Sequence, residues 1–182
     1  MPQLLTPWQS EAFYVLRHCP SGLSDWLLTK ESMTRRLRKE SNERLTVQIL
    51  KQHWGLPSIQ EALFLGIPHR HSVLIREVFL CGGGRPWMFA RSIFPHSLFT
   101  GEERWLQKKL DENPIGPILY RHKAMKKSPP QFAKLNPTHE EYEILKKYMT
   151  MEEEILWARR ACFYLNNKPL LVSEILLPEI GQ

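Results

Sequence analysis

The stretch Ser72-Val73-Leu74-Ile75-Arg76-Glu77-Val78-Phe79-Leu80-Cys81-Gly82-Gly83-Gly84-Arg85-Pro86-Trp87-Met88-Phe89-Ala90-Arg91-Ser92-Ile93-Phe94-Pro95 holds two apolar runs joined by three glycines. β-Branched and aromatic side chains suit a pleated surface, and glycine reaches the positive φ that a tight turn needs. The stretch therefore predicts an antiparallel hairpin over 73–81 and 86–94. A phosphate cradle is disfavoured, because no G-x-x-x-x-G-K-[ST] follows and the glycines lead into a strand rather than a helix. A second unit of the same kind closes the chain: strands at 155–165 and 168–177 flank Asn166-Asn167 and stop at Pro178.

Working outward, Thr6-Pro7 looks like a cap with proline at the first helical position and predicts a helix over 8–17, broken by Cys19-Pro20-Ser21-Gly22. Ser24 is expected to cap a second helical segment, with Trp26, Leu27, Leu28, Met33 and Leu37 on its apolar stripe and Arg35, Arg36, Arg38 and Lys39 on a solvated face. Residues 45–50 alternate like a half-buried strand, 55–70 read as irregular, and Trp105, Leu106 and Leu110 have helical spacing. Residues 121–130, basic and then proline-rich, read as an exposed loop, and Thr138-His139-Glu140-Glu141 as a capping box opening a helix to about 149. We therefore expect one α+β domain over 1–182, built on an antiparallel sheet, with 121–151 as an insertion.

Composition narrows the function classes. At 182 residues, 42% hydrophobic and 24% charged, the chain can bury a core, so wholesale disorder and a coiled coil are excluded. A formal charge of +6 suits an anionic partner without choosing among nucleic acid, acidic lipid and a small anion. Cys19, Cys81 and Cys162 are widely spaced and odd in number, which argues for a reducing, cytoplasmic compartment rather than a disulfide framework or zinc ribbon. Met1 to Pro7 lacks a basic leader, and no apolar run approaches the roughly 20 residues of a membrane span, so no membrane insertion is expected.

Chemistry is suggested by charges inside apolar strands. Strand alternation groups Arg76 with Leu74, Val78 and Leu80, and Glu77 with Val73, Ile75, Phe79 and Cys81. Glu174 shares its face with Leu170, Val172 and Leu176. A buried ion is costly unless paired, so Arg76 either pairs with Glu174 or Glu77, or it faces a cavity with Glu174 and awaits a carboxylate and a hydroxyl. Arg91, and one of the doublet Arg159-Arg160, offer either an edge salt bridge or a second carboxylate clamp. His69 and His71 lack a third ligand nearby, so no metal is expected, and no nucleophile motif is present.

Six separated blocks occur in the order known from one family: Asp25-Trp26-Leu27-Leu28 with Ser32-Met33-Thr34; Ile75-Arg76-Glu77 with Leu80-Cys81; Gly84-x-Pro86-Trp87-x-x-Ala90-Arg91 with Pro95; Asn113-Pro114-Ile115-Gly116; Leu156-Trp157-Ala158-Arg159-Arg160; and Lys168-Pro169-Leu170-Leu171-x-x-Glu174-x-x-Leu177-Pro178. Together they resemble chorismate pyruvate-lyase. The resemblance implies an antiparallel sheet with helical flaps over a buried ligand pocket, and conversion of chorismate to 4-hydroxybenzoate and pyruvate, the first committed step toward ubiquinone, with no cofactor. It implies Arg76 at the ring carboxylate, Glu174 at the hydroxyl, and backbone contacts at Met33 and Ile115. Arg76 and Glu174 are then the catalytic pair, and Arg91 a candidate second carboxylate contact. Ile115 stands where the family usually has leucine. The expected partners are chorismate and 4-hydroxybenzoate, not nucleic acid, and a monomer is expected. The alternative is a non-enzymatic effector-binding domain of the same fold for an aromatic carboxylate.

Overall fold

In a computed structural model, residues 5–112, 115, 118–119, 125–152 and 154–181 are described. Three short helices, α1 (Ala12–His18), α2 (Ser21–Leu27) and α3 (Met33–Glu40), precede β1 (Leu45–Gly55). Then come α4 (Ile59–Leu65), β2 (Val73–Gly82), β3 (Arg85–Pro95), two 3-10 turns (His96–Phe99, Gly101–Arg104) and α5 (Trp105–Glu112). The chain continues through β4 (Met125–Lys127), β5 (Gln131–Leu135), α6 (Glu140–Leu145), β6 (Leu156–Leu165) and β7 (Lys168–Leu176). The seven strands form one antiparallel sheet in the order β1-β2-β3-β7-β6-β4, with β5 also pairing β6.

Both hairpins form as the sequence predicts, each for an identifiable local reason. Gly83 and Gly84 take φ of 59° and 85°, and Asn166 and Asn167 take 49° and 65°, so each two-residue turn sits in the left-handed region that its residue types tolerate. Gly82 is needed for a different reason: a Cβ there would stand 2.4 Å from the Trp87 indole.

Four expectations change. The first helix starts at Ala12 rather than Trp8, because Gln9 is bridged to Phe132 through two backbone hydrogen bonds of 2.7 Å and is held extended. Ser24 lies inside α2, and what reads as one helical segment is two, α2 and α3, with Ser32 before the second. The 55–70 stretch carries α4, opened by a Ser58/Glu61 capping box and closed by Gly66 in the left-handed conformation. The 121–151 segment is woven into the sheet: β4 and β5 share one edge of β6, and α6 buries Tyr142 and Leu145. Arg121, His122 and Lys123 lie outside the described residues. The capping box does not form: His139, not Thr138, stands at the start of α6 without a side-chain capping hydrogen bond, and the Thr138 side chain bonds Asn136 instead.

Alternation gives the sheet two faces, each covered by helices. On the front, α2 and α3 pack Leu27, Met33 and Leu37 against Val78, Leu80 and Met88. At the other end of the same face, Leu106 and Leu110 of α5 join Phe94, Phe163 and Leu170. On the back, α6 covers Phe79, Phe89 and Ile175, while Leu65 of α4 joins Ile75, Ile93 and Leu171. The two front clusters leave a gap between them over the middle of the sheet.

Candidate active site

That gap is a pocket of about 650 Å³, counting the space open to solvent. Its floor is the central sheet, with Arg76 and Val78 from β2, Ala90 and Ser92 from β3, Val172 and Glu174 from β7, and Arg159 and Ala161 from β6. The small side chains Ala90, Ser92 and Ala161 leave the room that the long ones fill. Met33 at the start of α3 covers one end, and Ile115 and Leu119, which are helical, cover the other.

The structure thus brings together Arg76, Glu174, Met33 and Ile115, residues far apart in sequence. Asn113, Pro114 and Gly116 of the Ile115 block lie outside the described residues. Ladder register places Arg76 opposite Ser92 and Val172, with Glu174 two residues further along β7. Two strand spacings and two residues put the Arg76 and Glu174 Cα atoms roughly 12 Å apart. Side chains leaning inward from that separation can hold the two ends of a six-membered ring.

Arg76 is 2% exposed, while Glu77 pairs with Arg91 and Glu174 with Arg159. Arg159 Nε donates to Glu174 Oε2 at 2.5 Å, from directly across the β6–β7 ladder. Its Nη1 donates to the backbone carbonyls of Leu27 and Thr29, at 3.3 and 3.2 Å. One guanidinium therefore fixes the glutamate and ties down the chain that leads into the Met33 flap. Arg160, the other half of the doublet, turns to the back, where it stacks on Trp8 and Phe64 and donates to Gln131. Burial lowers its pKa to about 10, which leaves it charged at neutral pH.

Arg91 is not in the pocket. It lies on the back face, with Nε donating to Glu61 at 2.7 Å and Nη1 to Glu77, whose other oxygen accepts from Tyr148. Burial alone would disfavour its charge, but Glu61 and Glu77 outweigh this and push its pKa up. The cause of the misplacement is a β-bulge. From the turn, Gly82 pairs Arg85 and Cys81 pairs Pro86, a register that would set Arg76 opposite Arg91. Between Leu80 and Cys81 the register slips by one, so Arg91 lies opposite Glu77 and moves to the other face.

Lys127, which the sequence places in an exposed basic run, also lines the pocket. It lies opposite Phe163 on the edge strand β4, with Nζ 5.5 Å from that ring's centroid. Burial and then Arg159 lower its pKa, while Glu174 acts in the opposite sense. A three-residue strand is too short to show alternation, so no pattern in the sequence marked it.

Among the described residues, a pocket lined by arginines, Lys127 and the Glu174 carboxylate lies on an antiparallel sheet under helical segments, and the architecture is that of an α+β protein. The family model for chorismate lyase matches residues 6–181, and the chain belongs to that family. Over 163 residues it is 34% identical to a probable chorismate pyruvate-lyase from Nitrosomonas eutropha, covering 90% of each chain. It is 31% identical over 157 residues to the chorismate pyruvate-lyase of Salmonella newport, covering 86% of this chain and 82% of that one. Among solved structures, a GntR-family transcriptional regulator from Bacillus cereus matches with a TM-score of 0.53 at 15% identity, over 75% of this chain and 93% of that one. The C-terminal domain of Yurk from Bacillus subtilis gives 0.53 at 16% identity, over 72% and 89%. These last two are likenesses of fold.

Proposed function

We propose that this chain is a chorismate pyruvate-lyase, converting chorismate to 4-hydroxybenzoate and pyruvate as the committed step toward ubiquinone, in the cytoplasm and as a monomer. The observation that carries the reading is the placement of Arg76 and Glu174 on one face of one pocket, between flaps that bear Met33 and Ile115.

Chorismate is a dianion. Arg76 offers its ring carboxylate a charge-assisted, bidentate anchor, and burial strengthens that attraction by excluding competing water. Glu174 accepts a hydrogen bond from the ring hydroxyl through the oxygen that Arg159 does not hold, which fixes which way round the ring lies. In the reaction the C3–O bond breaks, the C4 hydrogen is lost and the ring becomes aromatic. The enolpyruvyl group leaves with its bonding pair, takes up a proton and becomes pyruvate. Atoms balance and no external oxidant or reductant is needed. Aromatisation drives the step, so the protein's part is to orient the ring and keep water out, with Glu174 placed to take part in the proton transfer.

The deciding measurement is chromatography of 4-hydroxybenzoate after incubating purified protein with chorismate, wild type beside Arg76→Ala. Product from the wild type, strongly reduced in the variant, is expected. Absence of product from the wild type, with tight binding of 4-hydroxybenzoate retained, would overturn the lyase reading in favour of an effector-binding domain.

A further inference from the structure

We propose that the Ser92 hydroxyl is a further binding contact, donating a hydrogen bond to the ring carboxylate of the substrate beside Arg76. The identity of the ligand rests on the lyase reading, and the choice of residue on the floor of the pocket.

Ser92 is 3% exposed and lines the pocket, yet among the described residues its hydroxyl forms no hydrogen bond to the protein. A hydroxyl taken out of water without a partner is costly, and the fold gains nothing from this one. Nor does room explain it. The neighbouring floor positions, Ala90 two residues earlier on β3 and Ala161 on β6, carry only a methyl group, and an alanine at 92 would leave the same space. In a floor otherwise made of aliphatic and charged side chains, Ser92 is therefore a neutral donor offered to whatever the pocket takes up.

The strand grid says which end of the ligand it meets. Ladder register sets Ser92 directly opposite Arg76 on one side and Val172 on the other, so its Cα lies about 5 Å from that of Arg76. Glu174 lies one strand further on and two residues along, on the diagonal. A ring that reaches from Arg76 to Glu174 thus passes over Ser92 at its Arg76 end, where the carboxylate is. Donor bookkeeping agrees, because a carboxylate offers about four lone-pair sites and a bidentate guanidinium fills two, which leaves sites for a hydroxyl from below. β3 is an interior strand, laddered to β2 and β7, so this donor is held in place before the ligand arrives. The other lining hydroxyls, Ser32 and Thr34, flank Met33 on the cover instead. Chorismate and 4-hydroxybenzoate both carry the ring carboxylate, so the contact holds substrate and product alike and bears on KM rather than on kcat.

The test measures binding of three unreactive ligands, so that it does not depend on turnover: 4-hydroxybenzoate, benzoate with the carboxylate alone, and 4-methylphenol with the hydroxyl alone. In Ser92→Ala both carboxylates are expected to bind about tenfold more weakly than in wild type, as for a lost hydrogen bond to a charged group, and 4-methylphenol within about twofold of it. KM for chorismate is expected to rise with the carboxylates while kcat stays within about twofold, and Tm to hold, because the hydroxyl bonds nothing in the protein. Ser92→Thr, which keeps the hydroxyl, is expected to bind all three ligands within about threefold of wild type. Unchanged binding of the carboxylates in Ser92→Ala, equal weakening of 4-methylphenol, or Ser92→Thr binding no better than Ser92→Ala overturns the proposal. If the ligands are discriminated as expected but wild type makes no 4-hydroxybenzoate from chorismate, the lyase reading falls and the assignment of Ser92 stands. Turnover by wild type without that discrimination leaves the lyase reading and removes Ser92 from the site.

Discussion

At the scale of single residues, the proposed reaction gives Arg76 and Glu174 different work, and substitution should separate them. Losing a hydrogen bond to a charged group costs about 1.5–3 kcal/mol, so Arg76→Gln should raise KM for chorismate about ten- to a hundredfold in steady-state assays. Glu174→Gln keeps a hydrogen-bonding side chain of the same size, so binding of 4-hydroxybenzoate should change little while kcat falls. A wild-type kcat/KM in that variant would remove Glu174 from the proton transfer and leave it positioning alone. Both residues were legible because alternation forces a charge out of an aliphatic face, and that inference needs only the strand itself. Arg91 shows the limit of the same argument. Alternation says which neighbours share its face, but only the ladder register says whether that face is also Arg76's, and a single extra residue at Trp87 reversed the answer.

At the scale of elements, the hairpins were legible since their turns are local: two glycines in one and two asparagines in the other carry the whole requirement for positive φ. The α1 boundary depends on a distant strand partner, Phe132, and β4 and β5 exist because β6 offers an open edge; neither cause is written locally. The α4 start, by contrast, was locally encoded as Ser58-x-x-Glu61 and was obscured by the flanking prolines. The flap shows how an element acquires function. Arg159 joins the residues between α2 and α3 to Glu174, so flap closure and glutamate orientation share one side chain. In Arg159→Gln, amide hydrogen exchange across residues 28–34 should rise at least about tenfold, matching the loss of hydrogen bonds from a charged donor. The kcat for chorismate should fall more than KM rises, because the carboxylate loses its orientation while the Arg76 anchor remains. Unchanged exchange in the flap would show that packing of Leu27 and Met33 alone holds it shut.

At the scale of the whole molecule, the sheet carries a polar centre on each face, flanked on both by apolar clusters. On the front the centre is left hollow and becomes the pocket. On the back it is filled by Glu61, Glu77, Arg91 and Tyr148, with Tyr148 kept protonated by burial and by its bond to Glu77, its pKa pushed up to about 12. That back cluster joins α4 to β2 and β3 through ion pairs whose members are almost wholly buried, so its value lies in being complete. Removing one partner of such a set strands the others, and Arg91→Ala should destabilise the fold by about 3–5 kcal/mol. For a chain of this length, with about 2–4 °C of Tm per kcal/mol, that is a fall of roughly 6–20 °C in a thermal melt. Glu77→Gln in the same background should recover part of the loss, because it removes one of the stranded charges, and a double-mutant cycle would report that coupling directly. Below the melting transition, kcat/KM of Arg91→Ala should stay within a few-fold of wild type, since the guanidinium lies on the opposite face of the sheet from Arg76 and Glu174. Loss of activity without loss of stability would instead mean that Arg91 reaches the substrate, and would return it to the site.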